Sequence, residues 1–468
     1  MAYSTPRPSE SAGRMTQLRD ESAEDLLDAA WLHLAAGRPA EADRLYERAA
    51  LLRPLRQLRA CWPLALTRAG AVGEEWASSD LKRADLHINY LQDERAAAIL
   101  KAITAPEHRA QVLAGHARLA MNRGAGADAL ALANQARGLS PQSSYVAIIL
   151  GAALMATGRA QDAIAWLAKA ADAGREGAHF LLGLAHQKLQ RPKEAAEAYR
   201  KAFAFDPRDF GPANNLMAAL MEVRDYAGAL EHADVLLAAK PAHTTSLAYK
   251  YIALAELGRQ SELARFTDYA KLIRSERLAA PTGYKDLASF NAALAREIAA
   301  EPSLAYERNT TRFGYQTDDI GSSHAPAIRA LNGLLTAAVQ RRADLARRSP
   351  AHDFDRAAPK DFRLYSWGVI IREKGHQAPH FHPHGWLSGV YYVEVPDDIT
   401  ADDPERRGWI EFGRGDERWN KKTTAMPIHQ LMPEVGALLT FPSYFWHNTR
   451  PLRTDKPRIS FAFDVIPL

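Results

Sequence analysis

The chain has 468 residues, of which 47% are hydrophobic and 24% are charged, the composition of an ordinary globular protein. This length is enough for about two or three domains, each with its own hydrophobic core. The formal net charge of +4 is small for such a chain and predicts no general affinity for nucleic acid. The single cysteine, Cys61, excludes an internal disulfide framework and fits a reducing compartment.

Residues 1–20 are polar, rich in serine and proline, and lack the apolar run of a secretory signal peptide. We expect them to form a disordered tail. No later stretch approaches the roughly eighteen consecutive apolar residues that indicate a membrane-spanning helix. These observations predict a cytoplasmic protein without membrane insertion.

An internal repeat with a period of about 34 residues begins near residue 23. Prolines mark one position of the repeat, at Pro54, Pro141, Pro207 and Pro241. The aligned units span 23–54, 110–141, 144–175, 176–207, 210–241 and 244–275. Residues 55–109 are helical by pattern but irregular, and we interpret them as divergent repeats.

Small side chains recur where two antiparallel helices must approach each other closely. The eighth position holds Ala30, Ala117, Gly151, Gly183, Met217 and Tyr251, and the twentieth holds Ala42, Ala129, Ala163, Ala195, Ala229 and Leu263. Glycine tolerates the positive φ that ends a helix, and the turns contain Gly37, Gly124, Gly158 and Gly258. The pattern resembles the tetratricopeptide repeat, which implies an all-α solenoid over residues 21–275.

The concave groove of such a solenoid is usually its binding surface. By the convention of the repeat family, the first helices would present a mostly apolar set there: Tyr145, Ile148, Ala152, Phe180, Leu184, Asn214 and Ala218. This predicts a peptide or protein partner in the groove. The same surface could instead mediate self-association into a homodimer or pack on the domain that follows the repeats.

The periodicity changes between residues 276 and 364. Pro326–Arg348 is predicted to be an amphipathic helix, because proline suits a first turn and apolar residues recur at helical spacing. Arginines gather toward its end, where cations suit the helix dipole. We interpret the run Arg341, Arg342, Arg347 and Arg348 as a solvated face.

Short aromatic and β-branched segments follow, separated by glycine, proline and aspartate. They predict strands at Phe362–Arg372, Leu387–Val395, Trp409–Phe412, Ala437–Phe441 and Arg458–Ile466. The intervening segments Pro396–Arg407 and Gly413–Pro433 would border the mouth of the domain, where loops usually select substrates.

Histidines and an arginine stand in a specific order along these strands. His380 and His382 are two residues apart, so in an extended segment both imidazoles lie on one face. His447 follows much later, and Arg458 and Ser460 then share one face of the last strand. Three side chains on one side of an ion leave open positions for a co-substrate and dioxygen. A planar guanidinium suits a carboxylate because it donates two parallel hydrogen bonds.

These motifs resemble the iron(II)- and 2-oxoglutarate-dependent dioxygenases. The closest match is a family with H-x-H, then S-G-V-Y-Y-[VL], then P-x-x-G-x-L-x-x-F-P-S-x-x-x-H, and finally R-x-S-x-A-F-[DN], which ends here at Asp464. The resemblance implies an α+β double-stranded β-helix (jelly roll) over residues 276–468, preceded by the tetratricopeptide solenoid in a multidomain chain.

The resemblance also implies cofactors and site residues. The domain would use Fe(II), 2-oxoglutarate as co-substrate, and O2. The metal ligands would be His380, His382 and His447, and Arg458 would bind the distal carboxylate of 2-oxoglutarate. Ser460 and Tyr392 would donate hydrogen bonds to the same carboxylate.

His382 departs from the wider superfamily, which carries aspartate or glutamate at this position. We favour His382 as the third metal ligand. In a second interpretation His382 supports a site with two protein ligands, and in a third a carboxylate such as Glu411 or Asp464 arrives from another strand. His376 and His384, in the same polar stretch, are interpreted as ordinary surface residues.

The leading functional hypothesis is a hydroxylase that oxidises a C–H bond, with the solenoid recruiting a polypeptide substrate. Tailoring of a small molecule is the nearest alternative. A three-histidine cupin-type dioxygenase would leave Arg458 without a role and lacks the expected glutamate after H-x-H. A non-catalytic repeat scaffold is favoured only by the histidine at position 382.

Overall fold

The computed structural model describes residues 93–468 except 176, 206–209, 351 and 420–425, together with eight single positions before residue 93. The predicted tail and most of the first predicted repeat lie outside the described residues. The chain divides into two compact units, residues 1–182 and 183–468. None of the helices in the described part of the chain is long and apolar enough to cross a membrane.

The first unit is built from helical hairpins. Its helices are α1 (Asp93–Ala102), α2 (Arg109–Asn122), α3 (Gly126–Leu139), α4 (Ser144–Ala156) and α5 (Ala160–Asp172), and α6 (Ala178–Lys188) begins before the unit ends. The small residues face the helix partners as predicted. A Cβ on Gly151 would approach Leu167 to 2.5 Å, so only glycine fits there. Gly124 and Gly158 have φ values of 76° and 77° at the turns.

Four residues that we expected to line the groove of this unit are not exposed. Phe180 of α6 is 5% exposed, and Tyr145, Ile148 and Ala152 of α4 are fully buried. Their helix, α4, is apolar over nearly its whole length, with every residue from Tyr145 to Met155 buried. These side chains therefore form part of the core, and in this structure they are not accessible to a ligand.

The second unit continues the hairpins before its sheets begin. The helices are α7 (Pro192–Phe205), α8 (Phe210–Glu222), α9 (Tyr226–Ala239), α10 (Thr244–Glu256), α11 (Gln260–Phe266) and α12 (Tyr269–Leu272). Gly183 lies where a Cβ would meet the Tyr199 ring at 2.5 Å. The tetratricopeptide architecture predicted from the repeat is thus confirmed in both units.

Two antiparallel sheets follow in the second unit. The larger has the order β1-β8-β5-β10-β4-β3-β2 and the smaller β7-β6-β9. The strands are β1 (Arg274–Arg277), β2 (Ala305–Tyr306), β3 (Thr311–Gln316), β4 (Phe362–Gln377), β5 (Leu387–Glu394), β6 (Ile410–Phe412), β7 (His429–Leu431), β8 (Ala437–Pro442), β9 (His447–Thr449) and β10 (Arg458–Pro467). This is the predicted jelly roll, with all five predicted strands present and β4 longer than expected.

Helices α13 (Leu287–Ala299) and α14 (Pro326–Arg348) pack together. Helix α14 has the predicted bounds. Helix α13 begins with a capping box at Asp286 and covers one face of the large sheet. Gly368 on β4 permits this contact, because a Cβ there would lie 2.4 Å from Ile298. The Tyr391 hydroxyl donates to the Asn291 side chain at 2.8 Å and fixes β5 to the same helix.

The opposite face of the large sheet points into the jelly roll. An apolar cluster lies there, in which Trp367, Val369 and Ile371 alternate along β4 and are joined by Ile399 and Leu452 from connecting segments. Ser460 pairs with Val369 on one side and Tyr392 on the other, so all three side chains share this inner face. The inner face therefore carries the predicted co-substrate residues.

The arginine run at the end of α14 is only partly a solvated face, contrary to our interpretation. Arg341 is exposed and pairs with Glu276 at 3.0 Å. Arg342 is half-buried, and Arg347 donates hydrogen bonds to the Pro359 carbonyl and the Asp344 carboxylate. Helical periodicity identified the apolar stripe but not these contacts, because two of the partners, Glu276 and Pro359, lie outside the helix.

Candidate metal and co-substrate site

Three histidines converge at the mouth of the jelly roll. One ring nitrogen from each of His380, His382 and His447 lies within 4.8 Å of the other two. The ring centroids are 4.3 Å apart for His380 and His447 and 5.0 Å apart for the other two pairs. This is the one group of three or more such side chains that could hold a metal ion in the described part of the chain.

Backbone pairing explains the convergence. His380 and His447 form an antiparallel bridge, in which each amide donates to the other carbonyl at 3.0 and 2.9 Å. The His382 amide donates to the Ser443 carbonyl at 2.9 Å, four residues before His447. The H-x-H segment lies just beyond β4 rather than inside a strand, yet the extended bridge still puts both imidazoles on one side.

The hydrogen bonds of the rings indicate one tautomer for all three. Nδ1 of His380 lies 2.7 Å from the Ala378 carbonyl, and Nδ1 of His447 lies 2.9 Å from the Phe445 carbonyl. Nδ1 of His382 lies 2.6 Å from a carboxylate oxygen of Asp464. Because these oxygens only accept, each Nδ1 carries the proton and each Nε2 offers a lone pair.

Burial keeps two of these histidines, His380 and His447, neutral. Burial, followed by the proximity of His382, lowers the pKa of His380 from 6.5 to about 3. Burial, and then His380 and His382, hold the pKa of His447 well below its usual value. Metal ligation requires the neutral imidazole. The Nε2 atom of His382 is buried without a hydrogen-bond partner in the described structure, so it is the orphaned atom that an ion would satisfy.

Asp464 orients His382. Its carboxylate also accepts a hydrogen bond from the Ser388 hydroxyl at 2.6 Å, and Ser388 lies 2.8 Å from the Ser443 hydroxyl. Since the Ser388 proton is committed to Asp464, the Ser443 hydroxyl donates to Ser388. The His382 ring also stacks on Trp367 at 5.6 Å, which fixes its plane.

Neither carboxylate that we considered as a substitute ligand belongs to the histidine cluster. Asp464 does lie on another strand, β10, but its carboxylate contacts Nδ1 of His382, the nitrogen that is not offered to a metal ion. Glu411 is 1% exposed and is bound to Arg414 at 2.7 Å and to Gln430 at 2.6 Å. In the described structure the cluster consists of imidazoles alone.

Arg458 is a buried cation with unused hydrogen-bonding capacity. The residue is 2% exposed, and its Nη1 donates to the Gly408 carbonyl at 2.5 Å. Its Nε is buried and lacks a hydrogen-bond partner within the described structure. Burial lowers the pKa of Arg458, and Tyr392 opposes that shift. A buried cation with a free edge is suited to an anionic ligand.

Tyr392 and Ser460 lie beside Arg458 on the inner face. They pair directly across β5 and β10, and both are buried, at 3% exposure each. Burial raises the pKa of Tyr392 to about 12, so its hydroxyl keeps the proton and can donate it in a hydrogen bond. The three co-substrate residues predicted from the sequence are therefore adjacent.

The remaining histidines of the motif region do not join the cluster. His376 has its Nδ1 2.9 Å from the Lys374 carbonyl, and its ring lies 6.4 Å from Phe313. His384 is exposed at the residue level, although its side chain is desolvated enough to lower its pKa. Neither belongs to the group of three histidines.

The sequence did not lead us to predict that the Asp464 carboxylate accepts a hydrogen bond from Nδ1 of His382. A signal was present, because positions 458, 460 and 464 of one strand share a face. Ser388 and Ser443, which complete the network, gave no comparable signal. Their contact joins residues 55 positions apart, and local patterns do not encode it.

The last repeat forms a wall behind the histidines. Trp446, next to His447, donates its indole N–H to the Ala248 carbonyl of α10 at 2.9 Å. Tyr249 of the same helix contacts Phe381 at 5.9 Å and Trp419 at 5.4 Å between ring centroids. Packing on the jelly roll, one of the uses predicted for the repeats, is thus observed for α10.

Comparison with known proteins gives two family matches. Residues 365–464 match the family described as "Putative 2OG-Fe(II) oxygenase", and residues 177–209 match the tetratricopeptide repeat. Both resemblances inferred from the sequence are therefore confirmed. No curated protein matches this sequence.

Solved structures with detectable similarity are distant. A Pseudomonas putida prolyl-4-hydroxylase is 17% identical, covers 47% of this chain and 99% of its own, and has a TM-score of 0.29. YrrB, a tetratricopeptide-repeat protein with an unusual peptide-binding site, is 19% identical, with coverages of 36% and 93% and a TM-score of 0.31. Pseudomonas aeruginosa pilF is 17% identical, with coverages of 40% and 87% and a TM-score of 0.35.

Proposed function

We propose that this chain is an iron(II)- and 2-oxoglutarate-dependent hydroxylase. The observation that carries the proposal is the convergence of three Nε2 lone pairs whose Nδ1 atoms are all committed to acceptors. The donor set fits a divalent ion with open coordination positions. When bound, iron would activate O2, the oxidant, for hydroxylation of a C–H bond, and oxidative decarboxylation of 2-oxoglutarate to succinate and CO2 would supply the other two electrons.

In this proposal the protein side chains have separate tasks. His380, His382 and His447 hold the metal, and Asp464 keeps the His382 ring oriented. Arg458 binds the distal carboxylate of 2-oxoglutarate through its free Nε edge, with Tyr392 and Ser460 as further donors. The aromatic wall from α10 excludes water from one side of the site.

Iron content is the first test. Wild-type protein purified without oxygen should bind close to one equivalent of iron, whereas the non-catalytic scaffold hypothesis predicts none. Isothermal titration with 2-oxoglutarate then separates the proposal from the three-histidine cupin alternative, which the all-imidazole cluster favours. Iron-dependent binding that is lost in Arg458→Ala supports the hydroxylase, and iron binding without 2-oxoglutarate binding supports the cupin.

We further propose that the substrate is a peptide or protein recruited by the repeats. The tetratricopeptide match supports this, since extended helical grooves commonly bind polypeptides. A pull-down with the inactive His447→Ala protein, followed by mass spectrometry of the captured polypeptides before and after treatment with wild-type protein, would identify the target. A gain of one oxygen atom is expected. If no captured polypeptide is oxidised, the small-molecule alternative is favoured.

A further inference from the structure

A cavity of about 630 Å³ lies in the second unit, and none of its lining residues belongs to the three-histidine site. It is formed by α11, α12 and the start of β1 on one side and by the end of α14 with α15 (Asp353–Arg356) on the other. Its volume is in the range of sites that bind metabolite-sized ligands.

The lining of the cavity is strongly basic. Seven basic side chains contribute: Lys250, Arg265, Lys271, Arg274, Arg342, His352 and Arg356. The carboxylates are Glu262, Asp268 and Asp355. Glu262 is already neutralised by Arg259, which is not a lining residue, at 2.6 Å. Lys271 is paired with Asp268 at 2.7 Å, and Lys250 is paired with Asp234 at 2.5 Å. Arg265, Arg274 and Arg342 remain without a carboxylate partner among the described residues. Positive charge therefore exceeds negative charge around this space.

Arg342 shows most clearly that the charge is not satisfied internally. Its Nη2 makes one long contact of 3.4 Å to the Leu272 carbonyl, and its buried Nε lacks a hydrogen-bond partner in the described structure. Burial and then the like charge of Arg274 lower the pKa of Arg342, against an opposing effect of Asp355. A buried guanidinium nitrogen without a partner, close to another cation, destabilises the folded state unless an anion binds between the two cations.

Two more arginines of the lining also lack a carboxylate partner. Arg265 and Arg274 are exposed, and neither has a carboxylate within ion-pair distance among the described residues. Guanidinium groups bind phosphate through parallel charge-assisted hydrogen bonds, and several of them match its oxygens. Phe266, Leu272 and Leu345 line the same space and would pack against an organic group.

We propose that this cavity binds a small organic anion that carries a phosphate group. The arginines Arg265, Arg274 and Arg342 hold the phosphate, and the apolar side of the cavity holds the organic part. The proposal does not depend on the hydroxylase function, because no residue is shared with the histidine cluster or with Arg458.

Isothermal titration of the full chain with phenyl phosphate and with inorganic phosphate, at low ionic strength, tests the proposal. Arg274→Gln and Arg342→Gln should each weaken phenyl phosphate binding by roughly tenfold or more, the effect of losing one charge-assisted hydrogen bond. Arg341→Gln is the matched control, since Arg341 is the neighbour of Arg342 on α14 but pairs with Glu276 outside this cavity. Its affinity should equal that of the wild type.

Several outcomes would overturn the proposal. These are absence of saturable binding to the wild type, equal weakening by Arg341→Gln, or unchanged binding in Arg274→Gln. Arg274 is exposed, so its substitution gives a clear answer even if Arg342→Gln does not fold. If Arg458→Ala loses phenyl phosphate binding and Arg274→Gln keeps it, the anion binds at Arg458 and not in this cavity. If inorganic phosphate binds as tightly as phenyl phosphate, the apolar side of the cavity does not contribute to binding, and the proposal that the ligand carries an organic group is rejected.

Discussion

Replacing Arg458 with alanine should greatly weaken 2-oxoglutarate binding while iron stays bound. The guanidinium is 2% exposed, and one of its nitrogens is already used by the Gly408 carbonyl. The Nε edge is left for the carboxylate. Removing one partner of a buried, hydrogen-bonded charge pair costs about 2–5 kcal/mol. At about 1.4 kcal/mol per tenfold, the affinity should fall roughly thirty-fold to several thousand-fold.

Isothermal titration of 2-oxoglutarate into anaerobic, iron-loaded protein measures this change directly. Arg458→Lys should bind with intermediate affinity, because lysine restores the charge but not the planar fork. Tyr392→Phe should have a smaller effect, since it removes one hydroxyl donor and leaves the ion pair intact. Arg372→Ala is the matched control: Arg372 lies on β4 but is exposed and donates to the Asp455 carbonyl. Its affinity should not change.

One complication is that Arg458→Ala also leaves the Gly408 carbonyl without its donor and so lowers the free energy of unfolding. Urea titration of each variant separates this loss of stability from the loss of affinity. If Arg458→Ala binds 2-oxoglutarate as tightly as Arg372→Ala does, the carboxylate site lies elsewhere. The assignment would then lose its most specific residue.

Four further predictions follow from the same structure. His380→Ala and His447→Ala should each abolish iron binding without unfolding the protein, and wild-type iron content in either would show misassigned ligands. Asp464→Asn should weaken iron binding by roughly ten- to a hundredfold, measured by chelator competition, whereas Glu411→Gln should not. The pKa of His380 falls from 6.5 to about 3 on folding, because burial disfavours its charged form. The free energy of unfolding of metal-free protein should therefore be greatest above pH 6.5 and should decline as the pH falls toward 3. An equally steep decline in His380→Ala would contradict this. The fragment 21–275 should show helical circular dichroism but should self-associate, because cutting it from the sheets exposes a buried face of α10.

Local sequence patterns were sufficient for most of the fold. Helix α14 has the predicted ends because proline, the apolar stripe and terminal arginines are all signals carried within the segment itself. The strands that were missed lack such signals. β1 has the sequence Arg-Ser-Glu-Arg and is exposed at all four positions, so it becomes a strand only by pairing with β8.

The site was predictable where two of its residues lie close together in one extended segment, because their spacing then shows that they share a face. His380 with His382, and Arg458 with Ser460, follow from spacing alone. The position of His447 opposite His380 depends on a bridge between residues 67 positions apart in the sequence, and here only the family motif supplied the connection. Helix α10 covers the site through contacts that involve Trp446 and Tyr249. These contacts are tertiary packing, which local sequence patterns do not predict.

The histidine at position 382 is the feature that most favoured a vestigial domain, and its surroundings argue against that conclusion. Three neutral imidazoles would leave a divalent ion with one negative charge less than the usual two-histidine, one-carboxylate site has. Asp464 places a carboxylate 2.6 Å from Nδ1 of His382, where it orients the ring and puts a negative charge next to the ligand instead of on the metal ion. Ser388 holds that carboxylate in place. A domain that had lost metal binding would gain nothing from a buried, oriented His382–Asp464 pair, because such a pair costs desolvation and gives little stability in return.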